Sequence, residues 1–104
     1  MKPETKFQNK VLSDLKKLDN LWVLKTQEKT RKGVPDLLIC AKGYFVAIEL
    51  KAYKKNPDPL QQFELNCIAA SGGVALVAYP ENWEIIKKEL SEFIKNKLDN
   101  YFFK

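Results

Sequence analysis

The sequence contains no histidine, only two cysteines and no long hydrophobic segment. Without histidine, Ser–His–Asp triads, cysteine–histidine zinc sites and a histidine general base are excluded. Any hydrolytic chemistry must therefore come from carboxylates, lysine and a bound cation. Cys40 and Cys67 lie in apolar segments typical of a core, so we expect no disulfide framework and a cytoplasmic protein. No segment approaches the roughly 20 apolar residues of a membrane span, and the N-terminus lacks the hydrophobic region of a signal peptide. We therefore expect no membrane association.

Positive charge is what the chain has in excess. It carries 18 lysine and arginine residues against 13 acidic ones, a net charge of +5, which makes a polyanion such as nucleic acid the expected partner. Charge alone does not decide this, since many basic proteins bind no nucleic acid. At 104 residues the chain has the size of one compact domain, and we expect residues 1–104 to form it around one core.

Hydrophobic periodicity divides the chain into alternating helices and strands. The predicted elements are a helix at 3–18, strands from Leu21, Val34 and Tyr44, a helix from Asp58 to the Gly72–Gly73 pair, a strand from Val74 and a helix after Pro80. The order is αβββαβα. The strand VALVAY is apolar throughout and lies between two helices, which is typical of a buried strand. The sequence therefore predicts an α/β fold in which helices cover both faces of a mixed sheet.

Charged side chains that could bind a metal ion or take part in catalysis gather around the third strand. Alternation along YFVAIELKA places Glu49 and Lys51 on one face, and a hairpin turn at Lys42–Gly43 brings Asp36 alongside. Two acids at one edge of a sheet can hold a hard divalent cation through oxygen ligands. Lys51 can orient or deprotonate a water, or stabilise charge on a phosphate.

The same pattern has a plainer interpretation. An acid–x–lysine triplet is common in a lysine-rich chain and occurs also at Glu4–Lys6 and Asp14–Lys16, both in the first predicted helix. Taken alone, the triplet ending at Lys51 is an ordinary charged strand end. Its context favours a site, because a Pro–Asp pair lies on the partner strand and a basic loop is adjacent.

Three segments together resemble the PD-(D/E)XK nucleases: GVPDLLIC from Gly33, GYFVAIELKA from Gly43 and PLQQFELNCIAASGGVALVAY from Pro59. The similarity is strongest to the stand-alone VRR-NUC domains found in phages and at the end of larger DNA-repair enzymes, and it runs from residue 33 to 79. It implies a restriction-endonuclease-like three-layer sandwich and action in a bacterial or phage-infected cell. It also implies that Asp36 and Glu49, with the Leu50 carbonyl, bind Mg²⁺ or Mn²⁺, and that Lys51 is the catalytic lysine.

Two further positions of the family can be placed by helical periodicity. Relatives often carry a glutamate on the first helix, and Glu4 lies in line with Phe7 and Val11, so it is a candidate metal ligand. The alternative is a first-turn acid favoured by the helix dipole. For the glutamine that follows the E-x-K strand in relatives, Gln61 is the inward candidate for a catalytic role. Its alternative is a capping box at the start of the second helix.

Basic loops flank the predicted site on both sides. The candidate nucleic-acid ligands are Lys29, Arg31 and Lys32 before the Pro–Asp pair, and Lys54 and Lys55 after the E-x-K strand. The alternative for each is a solvated surface charge. No base-reading module is recognisable, so we expect recognition of DNA shape or backbone rather than of sequence.

The leading hypothesis is a Mg²⁺- or Mn²⁺-dependent endonuclease acting on four-way junctions or other branched or duplex DNA. Stand-alone members of the family resemble junction resolvases, which implies a homodimer. The apolar residues Tyr101, Phe102 and Phe103 can pack on the same core or on a partner subunit. The alternatives are a silent nucleic-acid-binding module of the same fold and a structural or protein-binding domain, and RNA as substrate is left open.

Overall fold

The computed structural model describes residues 1–27 and 30–96, so Lys29 and the segment with Tyr101, Phe102 and Phe103 lie outside the described residues. The elements within that range are α1 (Pro3–Lys16), β1 (Leu21–Lys25), β2 (Leu37–Ala41), β3 (Tyr44–Leu50), α2 (Pro59–Ala70), β4 (Val74–Ala78) and α3 (Trp83–Lys95). The predicted αβββαβα order is confirmed. No helix within those residues has the length and apolar character needed to cross a lipid bilayer.

The sheet is mixed, as predicted, with the strand order β1-β2-β3-β4. Strands β1, β2 and β3 are antiparallel, and α2 carries the chain across to β4, which lies parallel to β3. The two-residue turn between β2 and β3 has φ of 54° at Lys42 and 84° at Gly43. Positive φ at both positions defines a type I′ turn, whose twist matches that of the strands. It sets the register in which Leu37 faces Ile48.

One predicted strand boundary was wrong. The second strand was expected to begin at Val34, whereas β2 begins at Leu37. Pro35 cannot donate a backbone hydrogen bond to a neighbouring strand, so it lies before the ladder. The Thr26 hydroxyl donates to the Pro35 carbonyl at 3.0 Å, and the Thr26 N–H donates to the Asp36 carbonyl at 2.9 Å. These bonds hold the chain that leads into β2.

Helices cover both faces of the sheet, which makes three layers. On one face α1 and α3 bury the main core, to which Val11, Ile48 and Trp83 belong. Trp83 Nε1 donates to Asp14 Oδ2 at 2.8 Å and so joins the two helices. Burial alone would raise the pKa of Asp14, but hydrogen bonds from Trp83 and Lys10 outweigh it and lower that pKa.

Helix α2 lies on the opposite face and packs mainly on β4 and β3. The part of this face on β1, β2 and the start of β3 is left open. We call it the apolar sheet patch, and its residues are Trp22, Leu24, Leu38, Cys40 and Phe45. Cys40 and Cys67 were expected in the core, and that expectation was wrong, since both are exposed. Cys40 points away from the buried Ile39, towards the part of the α2 face that the helix does not cover.

Candidate functional site

The register of the β2–β3 hairpin brings Asp36 to the end of β3. Leu37 faces Ile48, so Asp36, one residue before β2, lies level with Glu49. The Leu50 N–H donates to Asp36 Oδ2 at 2.8 Å, which fixes the aspartate against the last residue of the strand. Sequence alternation alone could not supply this register. The structure therefore brings together the two carboxylates that the hairpin suggested as neighbours.

Glu49 is an acid in a position that disfavours its charge. Its side chain is only 4% exposed, and its Oε2 lies 3.7 Å from Lys51 Nζ. Burial, and then the negative charge of Asp36, raise the pKa of Glu49 to about 7 despite the opposing charge of Lys51. The two carboxylates are in contact, and the single ammonium of Lys51 does not balance the negative charge of both.

Lys51 is held in place by a backbone hydrogen bond as well as by its ion pair with Glu49. Its N–H donates to the Ala78 carbonyl at 2.9 Å, so the β3–β4 pairing continues past the last residue of β3. The side chain is 16% exposed, which leaves it accessible from solvent while it stays beside Glu49. The ammonium is therefore presented at a rigid sheet edge rather than on a loop.

The donor set fits a small, hard cation. Mg²⁺ is commonly bound through one or two carboxylates and keeps several waters or substrate oxygens, so Asp36, Glu49 and the Leu50 carbonyl are a sufficient protein contribution. Within residues 1–27 and 30–96, no three acidic or cysteine side chains form a metal-binding group. Glu4 is exposed in the first turn of α1, one turn before the buried Phe7. Its role as a metal ligand stays a prediction.

Gln61 takes part in the capping box that was the alternative to its catalytic role. Asp58 caps α2, because its Oδ1 accepts from the Gln61 N–H at 2.9 Å. The Asp58 N–H donates to Gln61 Oε1 at 2.9 Å in return. This reciprocal pair is a capping box, and each half satisfies a donor that the helix start leaves free. The catalytic role of Gln61 stays a prediction beside this one.

The predicted basic residues lie in two separate places. Arg31 and Lys32 line a polar cleft of about 320 Å³ together with Asp36, and Lys25 and Gln8 are among its other lining residues. Lys54 and Lys55 are exposed in the loop that follows Lys51. Tyr79 fixes that loop, since its hydroxyl donates to the Lys55 carbonyl at 3.0 Å. Positively charged side chains therefore border Asp36 on the Arg31 loop, whereas Lys54 and Lys55 line a separate cavity beside Tyr79 and Glu81. Lys29 lies outside the described residues.

Glu64 is the residue that sequence reasoning missed. Arg31 donates to it twice, from Nε to Oε2 and from Nη2 to Oε1, both at 2.9 Å. This hydrogen-bonded partner raises the pKa of Arg31, which stays fully charged. One signal was present in the sequence: Glu64 is three residues after Gln61 and one before Leu65, on the inward side of α2. A glutamate at such a position requires a cationic partner.

Comparison with solved structures places this fold among known ones. A structure named "VRR_NUC domain protein" superposes with a TM-score of 0.71 over 88% of this chain and 88% of its own, at 20% sequence identity. Another, named "VRR_NUC domain", gives 0.67 over 93% of this chain and 99% of its own, at 23% identity. No family model and no curated protein matches the sequence. The chain has a VRR-NUC-like fold, and the predicted resemblance is confirmed at the level of the fold.

Proposed function

We propose that this chain is a metal-dependent endodeoxyribonuclease that selects branched DNA, such as four-way junctions, by its structure. The observation that carries the proposal is the contact of Asp36 with the end of β3, where Glu49 and Lys51 project from one rigid sheet edge. The similarity to structures named as VRR_NUC domains supports a nuclease-type domain. DNA as the substrate is also supported by the net charge of +5.

The cofactor we propose is Mg²⁺, with Mn²⁺ as a substitute, held by Asp36, Glu49 and the Leu50 carbonyl. The bound ion supplies Lewis acidity to the phosphodiester and relieves the repulsion between the carboxylates. Lys51 lies beside Glu49 and stabilises negative charge that develops on the phosphate, or orients the attacking water. Strand pairing holds Glu49 and the hydrogen bond from the Leu50 N–H holds Asp36, so little reorganisation is required during the reaction.

Basic groups on the two loops are proposed to hold the DNA backbone. Arg31 and Lys32 lie in the cleft that contains Asp36, whereas Lys54 and Lys55 follow Lys51. Phosphate contacts of this kind fix the position of the duplex but carry no base information. Selection would then come from the shape of the DNA.

The test is cleavage of labelled duplex, flap, single-stranded and four-way-junction DNA, and of one RNA strand, with Mg²⁺, Mn²⁺ or EDTA. Cutting that requires a divalent ion and is strongest on branched DNA supports the proposal. Salt-sensitive binding without cutting in either metal would identify a silent binding module instead. Absence of both binding and cutting would identify an interaction domain.

We also propose that the enzyme is a homodimer that pairs through the apolar sheet patch. Trp22 is 59% exposed, Leu24 46% and Phe45 44%, and Cys40 lies between Trp22 and Phe45 across the strands. No residue of this patch is charged, so it offers nothing to a phosphate backbone. In a two-fold dimer the same patch on the second copy covers it without leaving a buried charge. Two copies also supply two sites for the two strands of a branched substrate.

Replacing Leu24 with lysine should convert this dimer to a monomer, since a two-fold axis would bring two like charges into an apolar interface. Analytical ultracentrifugation at tens of micromolar measures the change. Ile85→Lys is the matched control, because Ile85 is 61% exposed on α3, away from the patch. A wild-type protein that sediments as a monomer at this concentration would exclude the dimer.

A further inference from the structure

The ion pair between Arg31 and Glu64 is unusually asymmetric. The Arg31 side chain is 74% exposed, whereas that of Glu64 is 9% exposed. An exposed ion pair adds little stability, and a carboxylate taken out of water costs free energy unless it is well bonded. Stability of the fold is therefore a weak reason for this arrangement. Its clearest consequence is geometric, because two parallel hydrogen bonds hold the plane of an exposed guanidinium.

The hydrogen-bond donors of Arg31 are only partly used. A guanidinium has five N–H groups, and Glu64 accepts one from Nε and one from Nη2. Among residues 1–27 and 30–96, no partner is seen for the other three, two on Nη1 and one on Nη2. Arg31 lines the same cleft as Asp36, Lys25 and Lys32, and its long side chain reaches from there to Glu64 in a neighbouring cavity of about 490 Å³. An arginine oriented in this way matches the planar geometry with which guanidinium binds phosphate oxygens.

The loop that carries Arg31 is itself fixed to α2. Gly33 has φ of +85°, and a Cβ at this position would lie 2.8 Å from the Leu60 carbonyl oxygen. Only glycine therefore allows so close an approach of the loop to the first turn of α2. The loop thus approaches α2 closely at Leu60 and is joined to it at Glu64, one turn further along, by the ion pair. In the ligand-free structure Arg31 is thus already bonded to Glu64, and a guanidinium held in this way loses less entropy on binding.

We propose that Arg31, Lys25 and Lys32 form a subsite for a backbone phosphate next to the scissile one, and that Glu64 is the positioning residue that orients Arg31 towards it. The ligand class is a phosphodiester of the DNA strand bound at Asp36. The inference rests on the proposed nuclease function and adds a role in DNA binding for Glu64, an acidic residue. Glu64 would thus strengthen the binding of a polyanion.

The proposal is testable because Glu64 is negatively charged, so its positioning role and its charge have opposite effects on DNA binding. Glu64→Gln makes the protein more positive, so overall electrostatics predicts tighter binding of DNA. The positioning role predicts the opposite, a dissociation constant roughly tenfold higher, the effect of losing one charge-assisted hydrogen bond. Fluorescence anisotropy with labelled junction DNA in EDTA measures binding without cutting. Glu92→Gln is the control, with the same change of charge at an exposed position of α3.

Arg31→Lys is the second variant, since Arg31 is exposed and the change keeps the charge while removing the planar pair of donors. We expect the same loss of affinity, and no further loss when Glu64→Gln is added to it. Thermal unfolding of each variant monitors the fold. If Glu64→Gln lowers the melting temperature and leaves DNA affinity unchanged, Glu64 is only structural and the proposal is overturned.

The two proposals fail in different ways. If the wild-type protein cuts DNA with Mg²⁺ and both Glu64→Gln and Arg31→Lys bind DNA as tightly as wild type, the subsite is wrong and the nuclease stands. If the wild-type protein neither binds nor cuts any DNA, the proposed function and the subsite fail together. Weakened binding by both variants, with Glu92→Gln unchanged, supports the subsite.

Discussion

Replacing Lys51 with alanine is expected to lower the rate of DNA cleavage by on the order of 10²–10³-fold or more, the effect of losing one preorganised electrostatic group. The ammonium of Lys51 lies 3.7 Å from Glu49 Oε2 and is 16% exposed, so it is both close to the carboxylates and open to the substrate. Single-turnover cleavage of the preferred DNA with Mg²⁺ at saturating protein measures the chemical step. The dissociation constant for DNA should change much less than the rate.

The matched control for this variant is Lys88→Ala, which removes the same charge from an exposed position on α3. It should cut DNA at the wild-type rate. If Lys51→Ala cuts as fast as Lys88→Ala, Lys51 has no part in catalysis, and the assignment of the site would have to be abandoned. A loss of rate that is matched by a loss of folded structure in far-ultraviolet circular dichroism would not count in its favour.

Replacing Glu49 with glutamine is expected to abolish cleavage and, in the absence of metal, to stabilise the fold at pH 8. The pKa of Glu49 is raised from 4.5 to about 7 by burial and by the charge of Asp36. Between these two values the folded protein keeps a proton that the unfolded chain has lost, so wild-type stability falls as pH rises through this window. Above pH 7 the folded protein contains a buried carboxylate in an unfavourable environment, which glutamine removes.

The expected gain in the free energy of unfolding at pH 8 is on the order of 1–3 kcal/mol, or a melting temperature higher by roughly 4–8 °C per kcal/mol. Thermal unfolding at pH 5 and pH 8, in EDTA and in Mg²⁺, measures it. At pH 5 the two proteins should differ little. Mg²⁺ should stabilise wild type at pH 8 and should stabilise Glu49→Gln less, because a ligand of the ion is lost.

Two outcomes would contradict this account of Glu49. If Glu49→Gln melts below wild type at pH 8 in EDTA, the carboxylate is not strained in the metal-free protein. If the variant and wild type gain equally from Mg²⁺, Glu49 is not a ligand of the ion. Glu92→Gln, at an exposed position on α3, controls for the change in net charge and should show neither effect.

The order of elements was predictable because its signals are local. Side chains alternate every two residues along a strand and recur every 3.6 along a helix, and the turn at Lys42–Gly43 lies between two apolar runs. The same alternation placed Glu49 and Lys51 on one face without any knowledge of the sheet. The capping box of Asp58 and Gln61 also spans only three residues, and it was among the predicted alternatives.

The errors arose where burial depends on a distant element. Cys40 lies in an apolar strand, and it is exposed because α2 packs mainly on β4 and β3 and does not cover it. Glu4 shares a helical stripe with Phe7 and is exposed in the first turn of α1, and its role as a metal ligand stays a prediction. Periodicity reports which side a residue faces. It does not report how far the covering layer extends.

The amino-acid sequence alone was enough to specify the αβββαβα order, the shared face of Glu49 and Lys51, and the excess of positive charge, because each depends on neighbouring residues or on simple counts. The tertiary structure decided the approach of Asp36 to the end of β3, the raised pKa of Glu49 and the pairing of Arg31 with Glu64, 33 positions away. These depend on strand register and on which layer excludes water, and both are set only when distant segments pack together.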